Sequence, residues 1–273
     1  MPSSSSGTTS STIYDLKLPN LNWAGAKIHI TGGGQWTSQT GLVTSSTQGK
    51  VSFSGASGDC SNLCATPGTR YYLTNKLIAL DSAAEWYYDG KQERLYLWTP
   101  KNDHPRSHAV EAKKRNYAFN LDGRNYINIK GLHIFAATIS TDSNSHYNTI
   151  DGIKAKYVSH YVTIPDDGTS CTVYCAHGLD TGIVVNGTNN TLKNSTIIYS
   201  AGNGVMVDGS NHTIQNNLIH DTDYAGTYNS IVAVSGNNHT LSSNTLYRTG
   251  RDGIKGSPTA SRITLNHVYS VGM

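Results

Sequence analysis

The ionisable residues of the second half of the chain converge on one short stretch: His220, Asp221, Asp223, Arg248, Arg251, Asp252 and Lys255. No glutamate follows Glu111, so carboxylate chemistry there must use aspartate. Two aspartates with an arginine nearby suit the acid and the nucleophile or base of glycoside hydrolysis. Asp221, Asp223 and Asp252 are therefore the candidate catalytic residues. His220, Tyr228, Arg248, Arg251 and Lys255 are the candidate substrate-binding residues, with Tyr228 placed to stack on a sugar. An Arg or Lys beside a His would instead support proton abstraction from a uronic acid, as in a lyase. The competing structural account makes Asp221 and Asp252 turn residues that bond their own backbone, and pairs Arg248 with Asp221. Asp223, two residues on, is expected at an exposed turn.

Other candidates are more scattered. His212 and His239 recur beside the same Asn-x-Thr motif, and read as a solvated surface ladder in preference to a metal pair. Asp142, Asp151 and Lys154 have no evident partner. Asp166-Asp167-Gly168 lacks the residue pattern of a calcium loop. There is no phosphate loop, dinucleotide fingerprint, G-x-S-x-G or H-E-x-x-H. No metal and no cofactor are expected. The four cysteines form two C-x-x-x-C pairs in loops rich in Gly, Ser, Thr and Asp. Local disulfides, Cys60–Cys64 and Cys171–Cys175, are expected in an exported protein. Free thiols or a zinc site built from both pairs are the alternatives.

The composition says what kind of scaffold must hold these groups. Charged residues are 14%, against about 25% in an average soluble domain. Lys+Arg is 21 and Asp+Glu is 18, too balanced for a dedicated nucleic-acid binder. Mean hydropathy is −0.40, and no apolar run is long enough to span a membrane as a helix. Asn, Ser, Thr and 27 Gly take the place of charge; they disfavour long helices and suit strands joined by tight turns. Residues 1–11 read as a flexible Ser/Thr-rich tail. Residues 12–115 read as a small all-β domain, sandwich or barrel-like, with a hairpin in EWYYDGKQERLYLW. Its aromatics, Trp86, Tyr87, Tyr88, Tyr96 and Trp98, are expected to alternate between core and strand surface.

Residues 116–273 carry a repeat. The anchor Asn-x-Thr-aliphatic occurs at Asn189-Asn190-Thr191-Leu192, Asn211-His212-Thr213-Ile214 and Asn238-His239-Thr240-Leu241, with a degenerate copy ending Thr264-Leu265. A Gly precedes each anchor at Gly187, Gly209 and Gly236, and aliphatic pairs precede the Gly. Weaker copies lie upstream, at 125–134 and 147–158. A period of 22 to 27 residues, with short period-2 strands and no helical or leucine pattern, points to a parallel β-helix of about six coils. Val185, Val207 and Val234 are expected to stack inward, and Asn189/Asn211/Asn238 and Asn217/Asn244 to form amide ladders. Five sequons, at Asn186, Asn189, Asn194, Asn211 and Asn238, read as turns rather than glycan acceptors. A loop at about 161–178 and an insertion at Ala225–Asn229 interrupt the repeat. The chain stops just after a coil with no capping element, so a fragment, or an end covered by another chain, is expected.

The order of LNWAGAKIHITGGGQW, then LIALDSAAEWYYDGKQERLYLWTP, then the NLIHD coil at 217–221 resembles bacterial right-handed parallel β-helix proteins of the xylosidase- and fucosidase-type glycoside hydrolases, in which a β-sandwich interrupts the early coils. The resemblance covers roughly residues 15–273. It implies a secreted or cell-surface enzyme that acts on polysaccharide with paired carboxylates. The alternatives are a non-catalytic fibre-forming or surface β-helix that associates end to end through open coils, and a polysaccharide lyase. Polysaccharide or oligosaccharide is the expected partner.

Overall fold

The computed structural model describes residues 3–35, 37–55, 64–160 and 182–272. Among these there is no α-helix; two short 3-10 turns, Leu77–Ala79 and Pro105–Ser107, accompany the strands. No helix is long and apolar enough to cross a membrane. The chain divides into two compact units between Ala112 and Lys113, three residues before the expected boundary.

The first unit is an antiparallel sheet of Thr12–Tyr14, Lys50–Ser54, Gln39–Thr47, Lys27–Thr31 and Arg70–Thr74, in that spatial order. Ile13, Ile28, Ile30, Val43, Val51 and Tyr71 fill its core. Residues 3–5 bridge the two edge strands: Ser4 N donates to Thr69 O at 2.9 Å, and Ser5 N to Tyr14 O at 2.6 Å. One sheet therefore closes on itself, which is the barrel-like alternative, and the expected mobile tail is stitched into it. Ser4 and Thr8 are buried there. Trp86–Asp89 and Arg94–Leu97 form the separate hairpin. Of its aromatics Trp86 and Tyr88 are exposed, while Tyr87 and Tyr96 face each other at 6.1 Å.

The second unit is a parallel β-helix of six coils among the described residues, each coil giving one strand to each of three parallel sheets. The first sheet holds Tyr117–Asn120, Thr138–Ser140, Ile183–Val185, Val205–Val207, Ser230–Val234 and Asp252–Gly256. The second holds Asn128–Lys130, Thr149–Asp151, Thr191–Lys193, Thr213–Gln215, Thr240–Ser242 and Arg262–Thr264. The third holds His133–Phe135, Lys154–Ser159, Thr196–Ser200, Leu218–Thr222, Thr245–Thr249 and His267–Val271. Equivalent aliphatics stack along the axis. Val185, Val207 and Val234 are register partners, and so are Ile150, Leu192, Ile214 and Leu241. All are buried.

Regularity resides in the corners. Each coil has left-handed residues five apart, as in Asn189/Asn194/Tyr199 and Asn211/Asn216/Asp221. The next coil repeats this at Asn238/Ser243/Arg248 and the last at Ala260/Leu265/Ser270. The spacing from the first corner to the third is thus the same in every coil, and the variation in coil length falls in the remaining segment, which carries the first sheet. Thr240 pairs with Arg262 and Leu241 with Ile263. The last anchor is therefore Arg262 and not Thr264, and the final step is 22 residues, not 24.

The polar ladders are shifted from expectation by one residue. Asn189, Asn211 and Asn238 supply the left-handed backbone, while the bonding side chains are those that follow. Asn148 N donates to Asn190 Oδ1, Asn190 N to His212 Nδ1, and His212 N to His239 Nδ1. Asn217 and Asn244 do bond as expected, at 3.0 Å. His212 and His239 stack at 5.2 Å, but each is only 1% exposed, so this is a buried ladder and not a solvated one. Burial pulls His212 down to about 4.

Candidate functional site

The predicted site residues fall around one bend of coils four to six, where the third sheet turns toward the first. The third sheet ends each coil on a left-handed residue, so Tyr157, Tyr199, Asp221 and Arg248 form one row along the axis. Asp221 tolerates this backbone because a short polar side chain can bond locally. Arg248, in the equivalent place one coil on, grips it with two bonds, Nε to Oδ1 at 2.7 Å and Nη2 to Oδ2 at 2.6 Å. His220 Nδ1 lies 2.5 Å from Oδ2. Bonding to Arg248, and less to His220, holds the Asp221 carboxyl below the usual carboxylate range in spite of partial burial. The Arg248–Asp221 pairing is the one the structural account anticipated.

Asp223 departs from expectation. It is 0% exposed, because the 224–229 insertion folds back over it. Its Oδ1 accepts from Thr227 N at 2.8 Å and from Thr227 Oγ1 at 2.7 Å. Among the described residues Oδ2 is buried without a direct hydrogen-bond partner, as are Thr222 Oγ1 and Thr249 Oγ1. Burial pushes the carboxyl up to about 7, against the bonds from Thr227 and from the Asn229 backbone and the charge of Arg251. Asp223 braces the insertion; it is not an exposed turn carboxylate facing a groove.

The remaining candidates form a second cluster around Tyr228. Lys255 Nζ sits 3.0 Å from the ring centroid, and the Arg251 guanidinium 3.9 Å. Lys255 Nζ also donates to Tyr228 O at 3.0 Å. Asp252 lies 3.3 Å from Arg251 Nε and 3.8 Å from Lys255 Nζ. With cations over its ring, Tyr228 does not offer the free face that sugar stacking needs. Burial draws the Lys255 ammonium below its ordinary range.

Sequence reasoning missed the outer face of the third sheet. Its outward row runs Phe135, Lys156, Ile198, His220, Tyr247, Tyr269. His220 stacks on Tyr247 at 4.5 Å and Tyr247 on Tyr269 at 4.9 Å. In the corner row beside it Tyr157 stacks on Tyr199 at 4.9 Å, and Phe135 meets Tyr157 edge-on at 5.5 Å. The missed signal was a tyrosine five residues after the second left-handed corner, as in Gly152/Tyr157 and Asn194/Tyr199. Stacked rings cover one another's faces, so the ladder shows solvent its ring edges and phenol hydroxyls.

Among the described residues no group of three His, Cys, Asp or Glu could hold a metal. Asp142 is spent locally, accepting from Gly123 N and Ser145 Oγ. Asp151 accepts from Asn194 and lies 3.9 Å from Lys193. The Asp166–Gly168 loop and Cys60, Cys171 and Cys175 lie outside the described residues. Cys64 is buried and is not a free thiol.

Residues 181–270 match a family model described as the right handed beta helix region. No curated protein matches the chain. Among solved structures, the tailspike protein gp49 from Pseudomonas phage LKA1 is similar at 12% identity, over 96% of this chain and 41% of that one, with a TM-score of 0.24. This chain thus spans about two fifths of the tailspike's length.

Proposed function

We propose that this chain binds an extended polysaccharide along the outer face of the third sheet. The observation that carries the reading is the ring ladder in its two separate stacks, Phe135, Tyr157 and Tyr199 in coils one to three and His220, Tyr247 and Tyr269 in coils four to six. Its polar tips recur at the coil spacing of about 4.8 Å. Such a row offers repeated donors and acceptors beside apolar ring edges, which suits a polymer rich in hydroxyls better than a compact ligand. A secreted or cell-surface location goes with such a ligand.

Glycoside hydrolysis is the finer form of this reading. Asp221 would supply an ionised carboxylate, set by Arg248 and His220. Asp252 would be the second carboxylate, half-exposed beside Lys255. Asp223 is buried out of a ligand's reach, so it is withdrawn as a catalytic group. Glycan-array binding followed by a reducing-sugar assay tests both levels. Binding that is lost in Tyr199→Ala and Tyr247→Ala supports the ladder as the site. Reducing ends that appear with the wild type and fail to appear with Asp221→Asn or Asp252→Asn support hydrolysis, whereas an unsaturated product assigns a lyase. A chain that binds no polysaccharide removes the proposal.

A further inference from the structure

We infer that one face of the hairpin, Trp86–Asp89 with Arg94–Leu97, is a separate carbohydrate site, on which Trp86 and Tyr88 stack against the sugar rings of a neutral polysaccharide. The hairpin belongs to the first unit, and the inference does not rest on the third-sheet reading. Strand pairing defines the face. Trp86 lies opposite Leu97, and Tyr88 opposite Leu95. Residues directly opposed in an antiparallel pair point to the same side, as do residues two apart on one strand. Trp86, Tyr88, Leu95 and Leu97 therefore share one side, and Tyr87 and Tyr96 share the other. Burial follows this alternation. Tyr87 and Tyr96 are half-buried, whereas Trp86 is 67% exposed, Tyr88 50% and Leu95 44%. Folding ordinarily covers most of a tryptophan, so a Trp–Tyr–Leu face left in solvent points to a ligand.

Free ring faces set this place apart from the β-helix. There the rings of the third sheet cover one another, and Tyr228 lies beneath Lys255 and Arg251. Among the described residues no ring or cation lies against Trp86 or Tyr88. The face of an aromatic ring carries partial negative charge. A sugar ring with equatorial hydroxyls turns toward it a flat set of C–H hydrogens, made electropositive by the adjoining oxygens. Residues two apart on a strand stand about 7 Å apart, so one short stretch of polymer reaches both rings. The charged pair of the hairpin, Asp89 and Arg94, belongs to the other side, which favours a neutral polymer. Size argues against a protein partner. Two strands of four residues make a face of about 14 Å by 10 Å. A stable protein interface takes roughly 800 Å² from each partner.

Affinity electrophoresis of the whole chain in native gels containing hydroxyethyl cellulose or arabinoxylan tests the inference. Retardation by at least one of these neutral polymers is expected, and retardation by neither overturns the inference. Trp86→Leu/Tyr88→Leu keeps the face apolar but removes the planar rings. It is expected to need about fivefold more polymer for the same retardation, with an unchanged melting temperature. Trp86→Phe/Tyr88→Phe restores planar rings and should stay within about twofold of wild type. Wild-type behaviour of the leucine variant, or equal weakening in both variants, overturns the inference. Tyr199→Ala/Tyr247→Ala, run beside them, reports on the third sheet. Weakening there with a wild-type leucine variant overturns the hairpin site and leaves the third-sheet reading standing. Weakening confined to the leucine variant supports the hairpin site and counts against the third sheet. If Trp86→Ser abolishes a concentration-dependent dimer, or cosedimentation with phosphatidylcholine vesicles, the face belongs to a second copy or to a membrane surface, and the inference is overturned.

Discussion

Asp223 and His212 are buried ionisable groups of opposite sign, and they pull stability in opposite directions across one pH interval. Asp223 is raised from 3.8 to about 7. Between about pH 4 and 7 the unfolded chain has lost this proton and the folded chain keeps it, so stability falls as pH rises. His212 is lowered from 6.5 to about 4. From pH 6.5 down to about 4 the unfolded chain holds a proton that the folded chain refuses, so stability falls as pH drops. His29, lowered to about 4, and His239 act in the same sense as His212, so Asp223 opposes all three. In Asp223→Asn the melting temperature is expected to rise from pH 4 to 7 more steeply than in wild type. At pH 8 this variant should be the more stable one, by at most about 4 kcal/mol. His212→Asn installs the residue that Asn148 and Asn190 already use in the same ladder, and its melting temperature should rise less, or fall more, over that interval than that of wild type. Identical pH profiles for both variants and wild type would show that neither group is buried as described. A local sequence window around Asp223 reads as an exposed turn. Its burial depends on the insertion that Thr227 ties back over it, which only the folded chain makes visible.

At the scale of the coil, close stacking sets the tolerances. A Cβ added at Gly209 would lie 2.2 Å from Gly187 O, and one at Gly236 would lie 2.1 Å from Gly209 O. Both positions also have left-handed φ, 96° and 83°, so no side chain is accommodated. Gly209→Ala is expected to cost more than about 2 kcal/mol, read from a denaturant melt; a smaller loss would mean that the coils part easily. Val207→Asp places an unpaired charge among Val185, Val234 and their neighbours. It should abolish the cooperative β-sheet melt of the helix, and an unchanged melt would refute the register. This inward register was legible, because aliphatics separated by a whole coil recur beside Gly and Asn. The exact pairing of the last coil was not legible. Ser261-Arg262-Ile263 carries no Asn-x-Thr, and both Arg262 and Thr264 are acceptable strand residues.

At the scale of the whole chain, two cores hold two units, and the cysteines decide how the loops are tied. Cys64 is not a free thiol, and every other cysteine lies outside the described residues. Local pairs, Cys60–Cys64 and Cys171–Cys175, remain the expectation; non-reducing peptide mapping should find them, and a bond between the pairs would replace them. Composition and the repeat were enough to establish an all-β chain with a parallel β-helix and its inward aliphatics, since stacking identical coils forces the same residue types at the same offsets. Proximity of Asp221 to Arg248 followed from that same offset. Which side chains reach solvent did not. The stitched Ser3–Ser5 segment, the cations over Tyr228 and the buried His212 ladder arise from contacts between residues far apart in sequence, and Asp223 is buried by how the adjacent insertion folds back. The ring ladder is the clearest case: Tyr157, Tyr199, Tyr247 and Tyr269 stand at unequal sequence spacings. They stack in two pairs, Tyr157 on Tyr199 and Tyr247 on Tyr269, because the corners that flank them recur at a constant spacing while the extra residues leave through the segment that carries the first sheet.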